Sequence, residues 1–301
     1  MPKRIIANKS AVNQTYAGFI TLIGAPNSGK STFLNRVVNQ KIAIVSPKVQ
    51  TTRSKILGIL NSNSSQLIFV DIPGIIKPKG QLNLSMMEIA WSSINESDLH
   101  VLLIDGSKKI EKIIEENEII IKSLAGRVIK TILVINKIDK LKKNKLFEVT
   151  EALNKTNQFM AVFYISSLNG DGVIDLISFI EKKLPSSEWL YPEDQISDTP
   201  VKQLAAEITR EKLFLLLSDE LPYSITVRTN SWKELKKNYV VITQTIFVKK
   251  HSQKIIVIGK DGKKIKEVGI SARSDIEKVV NMKVYLKLFV KVDKKWDIKP
   301  L

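Results

Sequence analysis

The sequence predicts an α/β domain with a mixed sheet flanked by helices, followed by a smaller α+β domain. Three observations support this. The chain has 301 residues and is 44% hydrophobic, enough for two cores. From Gly18 to about Leu184, short β-branched runs alternate with longer amphipathic stretches, the pattern of βαβ units. A stretch carrying Pro185, Pro192 and Pro200 then breaks that pattern. The predicted organisation is a tail over 1–17, the larger domain over 18–185, a linker over 186–199 and the second domain over 200–301.

The strand candidates of the first domain are FITLIGA, QLIFVDIP, LHVLLIDG, IKTILVINK and AVFYISS. In the second domain, Thr199 and Pro200 read as an N-cap and first turn of a helix reaching about Ser218. Val201, Leu204, Ala205, Ile208 and Leu215 form its apolar face. Alternating segments near Tyr223–Thr229 and Tyr239–Lys249 read as strands. KIIVIG is ambiguous: its β-branched content favours a strand, whereas Ser252 as an N-cap favours a helix.

The net charge is +17 and the pI about 9.7. Residues 196–301 hold 22 Lys and Arg against 12 Asp and Glu, a net of +10. Residues 1–195 hold 25 against 18, a net of +7. The shorter part carries the larger excess, which points to an anionic partner, either nucleic acid or an acidic membrane surface. With no cysteine there are no disulfides, which suits a reducing, cytoplasmic setting. No apolar run approaches the roughly 20 residues needed to span a bilayer, and the basic N-terminus lacks the apolar core of a signal peptide.

Gly24, Ala25, Pro26, Asn27, Ser28, Gly29, Lys30 and Ser31 fit the phosphate-loop pattern between a strand and a helix. Glycines let successive backbone N–H groups turn toward phosphate oxygens. Lys30 supplies a point charge at the β- and γ-phosphates, Ser31 a hydroxyl for Mg²⁺, and the following helix its positive end. The base is read by Asn136, Lys137 and Asp139. One carboxylate accepts both donors on the guanine edge, whereas adenine presents an acceptor there. Ser166, Ser167 and Leu168 follow another strand and are expected to complete the base pocket with backbone N–H groups.

Asp71, Ile72, Pro73, Gly74 and Ile75 end a strand. At that place Asp71 holds a Mg²⁺-bound water and the Gly74 N–H senses the γ-phosphate. Thr51 and Thr52 lie in the loop before the second strand, and Thr52 is the preferred Mg²⁺ ligand. Lys30, Thr52, Asp71 and Gly74 therefore form the expected catalytic set. Ile75, with Ile76 after it, stands where related enzymes place a water-orienting Gln, so intrinsic hydrolysis is expected to be slow. His100 and His251 fall near no motif and read as incidental.

In the second domain, Gly259, Lys260, Asp261 and Gly262 form a Gly-x-x-Gly turn beside Lys249, Lys250, Lys254, Lys263, Lys264 and Lys266. Such a turn between two helices is how KH domains approach a nucleic-acid backbone.

Taken together, GAPNSGKS, PKVQTTR, DIPGI, NKID, REKLFLLLSDELPYS, VIGKDGKKIKEVG and VKVDKKW resemble the Era family of bacterial GTPases from about Gly18 onward. The resemblance implies an α/β P-loop NTPase of the Ras-like G-domain type followed by a type II KH domain. It implies GTP and GDP as ligands with Mg²⁺, a monomer, and binding of the 3′ end of 16S ribosomal RNA in support of 30S subunit biogenesis. Peripheral contact with the inner membrane also belongs to it. Gly259, Lys260, Gly262, Lys263 and Lys264 are then expected at the RNA backbone, Ile255 and Ile258 in the base groove, and Glu220 and Tyr223 near the RNA. Two departures, DIPG for DTPG and SSL for SAL, remove no group the nucleotide needs. Asp261 places a negative charge near RNA phosphate. The alternative reading is a GTP-dependent switch that docks on anionic lipid or an acidic protein.

Overall fold

The computed structural model describes residues 14–48, 51–75, 81–125, 129–154, 159–217, 224–235 and 238–294. The first domain runs β1 (Tyr16–Ile23), α1 (Lys30–Val37), β2 (Ile56–Ser62), β3 (Ser65–Asp71), α2 (Gln81–Asn95), β4 (Leu99–Asp105), α3 (Ile110–Leu124), β5 (Thr131–Asn136), α4 (Lys143–Asn154), β6 (Phe159–Ile165) and α5 (Val173–Glu181). Its sheet has the order β2-β3-β1-β4-β5-β6, with only β2 antiparallel to its neighbour. Strands β3, β4 and β5 are buried along their whole length, as sheets covered on both faces require. One face packs Phe33 and Leu34 of α1 with Leu176 and Ile180 of α5. The other packs Ala90 and Ile94 of α2, Ile113 and Ile120 of α3, and Val149 and Leu153 of α4.

The register sets the place of the chemistry. Leu22 pairs with Asp71, Ile23 with Leu102, and Asp105 with Asn136. The carboxyl ends of β1, β3, β4 and β5 therefore open on one edge, where ligands of open α/β sheets sit.

The second domain runs α6 (Val201–Leu216), β7 (Ile225–Leu235), β8 (Tyr239–Val248), α7 (His251–Ile258), α8 (Lys263–Val280) and β9 (Lys283–Val292). Its sheet has the order β7-β8-β9; β7 and β8 are antiparallel, β8 and β9 parallel. This αββααβ order is that of a type II KH domain, and its apolar residues close two clusters beneath α6, α7 and α8.

Several boundaries differ from the sequence reading. The sheet starts at Tyr16 because Tyr16 and Ala17 pair with Ser65 and Gln66 on β3, so part of the expected tail is strand. KIIVIG falls in α7 and in the turn after it, because Val257 is needed in the core beneath the helix. The cap of α7 is Lys250 rather than Ser252; the Gln253 side chain accepts from the Lys249 and Lys250 N–H groups at 2.8 and 2.9 Å. Pro200, not Thr199, caps α6, its carbonyl accepting from Gln203 and Leu204, while the Thr199 N–H donates to Ser197.

The 186–199 segment is not a free tether. The fully buried Gln66 side chain accepts from the Leu190 and Tyr191 N–H groups at 2.8 and 2.9 Å and donates to the Tyr191 carbonyl at 2.9 Å. Ile59 N–H donates to the Ile196 carbonyl at 2.9 Å, so the segment covers the exposed edge of β2. Gln66→Ala leaves these backbone groups unpaired. It is expected to cost about 1–3 kcal/mol in urea unfolding and to expose the 186–199 segment to limited proteolysis.

Candidate nucleotide and nucleic-acid sites

The Gly24–Ser31 loop joins β1 to α1 and lines a cavity of about 440 Å³ at the carboxyl edge of the sheet. Gly29 caps α1 at φ 104°, and a Cβ there would lie 2.1 Å from Asn136 Nδ2, so only glycine fits. Lys30 is buried and its Nζ donates to the Gly24 and Ala25 carbonyls at 3.1 and 3.2 Å, folded over the loop. Burial pulls its pKa down to about 8, with the Asp71 charge partly offsetting. Asn27 donates to the Pro47 carbonyl at 2.7 Å. Ser28 Oγ is buried without a hydrogen-bond partner among the described residues.

Three oxygens converge beside Lys30. Ser31 Oγ donates to Asp71 Oδ2 at 2.5 Å and lies 3.0 Å from Thr52 Oγ1, which in turn donates to Asp71 Oδ2 at 3.5 Å. Asp71 is fully buried and its Oδ1 has no partner among the described residues. Burial pushes its carboxyl up, against the opposing pull of Lys30 and the two hydroxyls. Thr51 Oγ1 turns away, donating to the Lys48 carbonyl at 2.7 Å. Among the described residues no cluster of three His, Cys, Asp or Glu side chains suits a metal. Two hydroxyls and one carboxylate beside a phosphate loop nevertheless fit Mg²⁺, which takes few protein ligands and completes its shell with phosphate and water. The orphaned Asp71 Oδ1 and Ser28 Oγ are the buried polar atoms such a metal–phosphate group would satisfy.

The segment after β3 leans on this loop: Ile75 N–H donates to the Gly24 carbonyl at 3.3 Å, and Pro26 sits against Gly74. Ile72 and Pro73 are buried, and Ile75 packs in the core with α2 and α3. Ile76 lies outside the described residues.

At the base end, Asn136 ties two loops together. Its Nδ2 donates to the Ser28 carbonyl at 2.8 Å, while its Oδ1 accepts from the Ser167 N–H at 2.9 Å and Ser167 Oγ at 3.0 Å. The sequence reading assigned the Ser166 and Ser167 amides to the base. Both are already used, Ser166 N–H by the Asp171 carbonyl and Ser167 N–H by Asn136, because the αL turn at Gly170 and Gly172 folds the loop back on itself. Asp139 is exposed and accepts from Ser166 Oγ at 2.6 Å. Leu168 is exposed, and Arg36 donates to its carbonyl.

Lys137 donates to the Asn27 carbonyl at 2.8 Å and to Asp105 at 2.7 Å. Burial pushes the Asp105 carboxyl up, but hydrogen bonds from Lys137 and Ser107 and the Lys137 charge outweigh it and hold it below the usual range. Sequence reasoning missed Asp105, whose only signal was its place at the end of β4.

It also missed the bonds from the switch loop to the second domain. Arg210 of α6, fully buried, donates to the Thr51 carbonyl, and Arg53 donates to the Ile225 carbonyl of β7 at 2.8 Å. Both guanidinium groups lie over the Phe214 ring, at 5.0 and 5.9 Å from its centroid. Glu211 accepts from the Val45 N–H at 2.9 Å and from Lys41 at 2.5 Å. Lys41 and Lys212 also pair with Asp275 of α8. Burial pushes Asp275 up, yet these lysines and Lys278 bring it down to about 2.

On the second domain, Gly259, Asp261 and Gly262 all take positive φ (74°, 53° and 70°) in the turn between α7 and α8. Lys260 and Lys263 are exposed and Lys264 is half-buried. A cavity of about 320 Å³ follows between α8 and β9, lined by Ile265, Lys266, Gly269, Ile270, Arg273 and Leu288, together with Tyr285 and Leu286. Ile255 and Ile258, expected in the base groove, are not in that lining: α7 turns Ile255 to solvent and leaves Ile258 half-buried. Glu220 and Tyr223 lie outside the described residues.

Comparison with known proteins matches residues 19–137 to the family model described as 50S ribosome-binding GTPase and residues 220–297 to the KH domain model. The chain is 46% identical to GTPase Era of Bradyrhizobium diazoefficiens over 98% of this chain and 94% of that protein. It is 45% identical to GTPase Era of Rhizobium meliloti, over 95% and 90%. It superposes on Era in complex with MgGDPNP and nucleotides 1506–1542 of 16S ribosomal RNA at a TM-score of 0.89, with 38% identity over 95% of this chain and 96% of that one. An Aquifex aeolicus Era variant bound to GDP and aluminium fluoride gives a TM-score of 0.87 and 39% identity, over 95% and 97%.

The state of Lys30 gives a pH prediction. In the folded protein burial lets Lys30 keep its proton only up to about pH 8, whereas the unfolded chain keeps it to about 10.4. The stability of the free protein held back by this group is thus recovered as pH rises between the two values. An anionic ligand restores the charge, so binding takes up a proton. Nucleotide affinity is expected to weaken above about pH 8, approaching tenfold per pH unit, in calorimetry that also shows buffer-dependent proton uptake. In a Lys30→Arg variant the extra pH dependence is expected to vanish.

Proposed function

The chain belongs to the GTPase Era family, and from that premise we propose that it is a slow GTP-driven switch that binds the 3′ end of 16S ribosomal RNA and assists maturation of the 30S subunit. As an Era GTPase it uses GTP and GDP with Mg²⁺. The carrying observation is that Thr52, in hydrogen-bond contact with Ser31 and Asp71, is flanked on both sides by residues bonded to the second domain, Thr51 to Arg210 and Arg53 to Ile225.

In this reading Lys30 unfolds from the Gly24 and Ala25 carbonyls and places its ammonium at the β- and γ-phosphates. Ser31 and Thr52 would hold the metal through their hydroxyls, and Asp71 would hold it through a water. A magnesium ion held there would supply positive charge to offset the negative charge that develops on phosphoryl transfer. Asp139 accepts both guanine donors, and Gly74, packed on Pro26, offers its N–H to the γ-phosphate. Ile75 sits in the core and has no polar atom, so it leaves the attacking water unoriented; that supports a low intrinsic rate. Loss of the γ-phosphate would free Thr52 from the site and loosen the hold of the Thr51–Arg53 segment on α6 and β7.

RNA backbone is gripped at the Gly259–Gly262 turn with Lys260, Lys263 and Lys264, and bases enter the cavity walled by Ile265, Ile270 and Leu288. Photo-cross-linking of the GTP-loaded protein in lysate, followed by sequencing of bound RNA, tests this directly. The expected product is the 3′ end of 16S RNA, and cross-links scattered over unrelated RNA would contradict the proposal. In filter binding, Lys263→Glu is expected to weaken RNA binding about tenfold and to flatten the salt dependence by about 0.7 per lost phosphate contact.

A further inference from the structure

The sheet of the second domain uses only one face for its core. Alternate residues of β9 (Val284, Leu286, Leu288, Val290 and Val292) pack toward α6, α7 and α8. The others, Lys283, Tyr285, Lys287, Phe289 and Lys291, are all exposed on the opposite face. Register extends that face across the sheet. Tyr239 pairs with Lys283, Val241 with Tyr285, Thr243 with Lys287, Thr245 with Phe289 and Phe247 with Lys291. On β7, Lys233 pairs with Val241 and Arg228 with Thr245.

The outer face thus carries four exposed cations, Lys233, Lys283, Lys287 and Lys291, and four aromatic rings, Tyr239, Phe247, Tyr285 and Phe289, while Arg228 shares the face by register but keeps its Nε and Nη2 out of solvent. No carboxylate of the three strands shares it. Glu234 belongs with Trp232, which donates to it at 3.1 Å and leans toward the core on the helix side. Tyr239, Tyr285 and Phe289 are 49%, 59% and 55% exposed, costly for large rings unless something covers them. Cations already stand over two rings, Lys287 5.5 Å from the Tyr285 centroid and Arg228 5.7 Å from that of Phe247. Among the described residues, the helices α6, α7 and α8 all pack on the other side.

We infer that this outer face is a second binding surface for single-stranded RNA, apart from the Gly259–Gly262 turn. Rings that stack bases, set among cations that meet phosphates, on a sheet with no opposing carboxylate, match what sequence-tolerant single-strand surfaces use. RNA-binding sheets of similar size stack two or three bases on such rings. Tyr285 and Phe289 stand four residues apart on β9, about 13 Å. Tyr285 also borders the cavity between α8 and β9, so a strand leaving that cavity passes round the edge of β9 onto this face. A lipid surface fits less well. In the run Lys283, Tyr285, Lys287, Phe289, Lys291 every ring is flanked by ammonium groups, and any depth that buries the rings buries charge with them, whereas interfacial segments segregate the two.

This inference rests on the chain meeting RNA at all, and the test keeps the two claims apart. Full-length GTP-loaded protein is photo-cross-linked to a pyrimidine-rich RNA of about 24 nucleotides carrying 5-iodouridine, and cross-linked peptides are mapped. Phe289→Ala and Lys287→Glu, both at exposed positions, are compared by filter binding, with melting temperature and GTP turnover as controls expected to stay unchanged. The expected result is cross-links at Phe289 and Tyr239 and about tenfold weaker binding in Phe289→Ala. Lys287→Glu should also weaken binding and show a shallower salt slope. Cross-links confined to residues 254–273, with both variants binding as the parent protein does, overturn the inference and leave the turn-based reading standing. Loss of binding to phosphatidylglycerol vesicles with RNA binding intact assigns the face to lipid and overturns it too. A parent protein that cross-links nowhere defeats both.

Discussion

A buried carboxylate shared by two hydroxyls governs this chain. Asp71, wholly out of water at the end of β3, receives hydrogen bonds from Ser31 on the phosphate loop and Thr52 on the loop before β2. A buried carboxylate is costly unless its lone pairs are met, and one oxygen of Asp71 has no partner among the described residues. Lys30 is its nearest countercharge, and burial weakens each ion, raising Asp71 and lowering Lys30. The pair is left incomplete in a way that a magnesium ion and its phosphate oxygens complete. Three separate segments converge there, so filling that position would act on all of them at once.

The consequences reach the second domain by short steps. Thr52 lies between Thr51 and Arg53, and these two supply the contacts to α6 and β7. The Arg210 guanidinium is buried with its Nη1 atom unpaired, so its bonds to Glu207 and to the Thr51 carbonyl carry the charge. Removing such a partner leaves an uncompensated buried charge, typically a loss of about 3–5 kcal/mol. The ion pairs of Lys41 and Lys212 with Glu211 and Asp275 lie nearer solvent and are each worth far less. They set the approach of the two domains, while the arginines make the approach depend on the threonine loop. In the proposed switch, this is the path by which loss of one phosphate would alter the presentation of the RNA-binding domain.

Much of this was legible in the sequence wherever function constrains the local backbone. The Gly24–Ser31 run could be read because the tight turn, the lysine and the hydroxyl are contiguous, and because strand and helix bracket it. Thr52 rather than Thr51 faces Ser31. The turn at Gly259–Gly262 was readable for the same local reason. What could not be read depends on tertiary placement. The β-branched content of KIIVIG favours a strand, but burial of Val257 makes most of it a helix. The Ser166 and Ser167 amides were expected to face the base; the loop returning through Gly170 and Gly172 spends them internally. Arg210, Asp105 and the Gln66 anchor could not be read for their roles, since the partners that tie segments together, Thr51, Lys137 and the Leu190–Tyr191 backbone, lie more than 30 positions away. The Lys-aromatic alternation along β9 was visible, but its meaning required knowing that the other face carries the core.

The most direct test of the coupling is an interdomain distance. The chain has no cysteine, so spin labels at Glu115→Cys on α3 and Ser274→Cys on α8, both exposed, report one distance per molecule in pulsed dipolar spectroscopy. With magnesium and a non-hydrolysable GTP analogue a single narrow distance is expected. With GDP it should broaden or shift, and Thr52→Ala should make the triphosphate-bound protein resemble the GDP form. Identical distributions with both nucleotides, or a narrow distance that survives Thr52→Ala, would contradict control of the second domain through the Ser31–Thr52–Asp71 cluster.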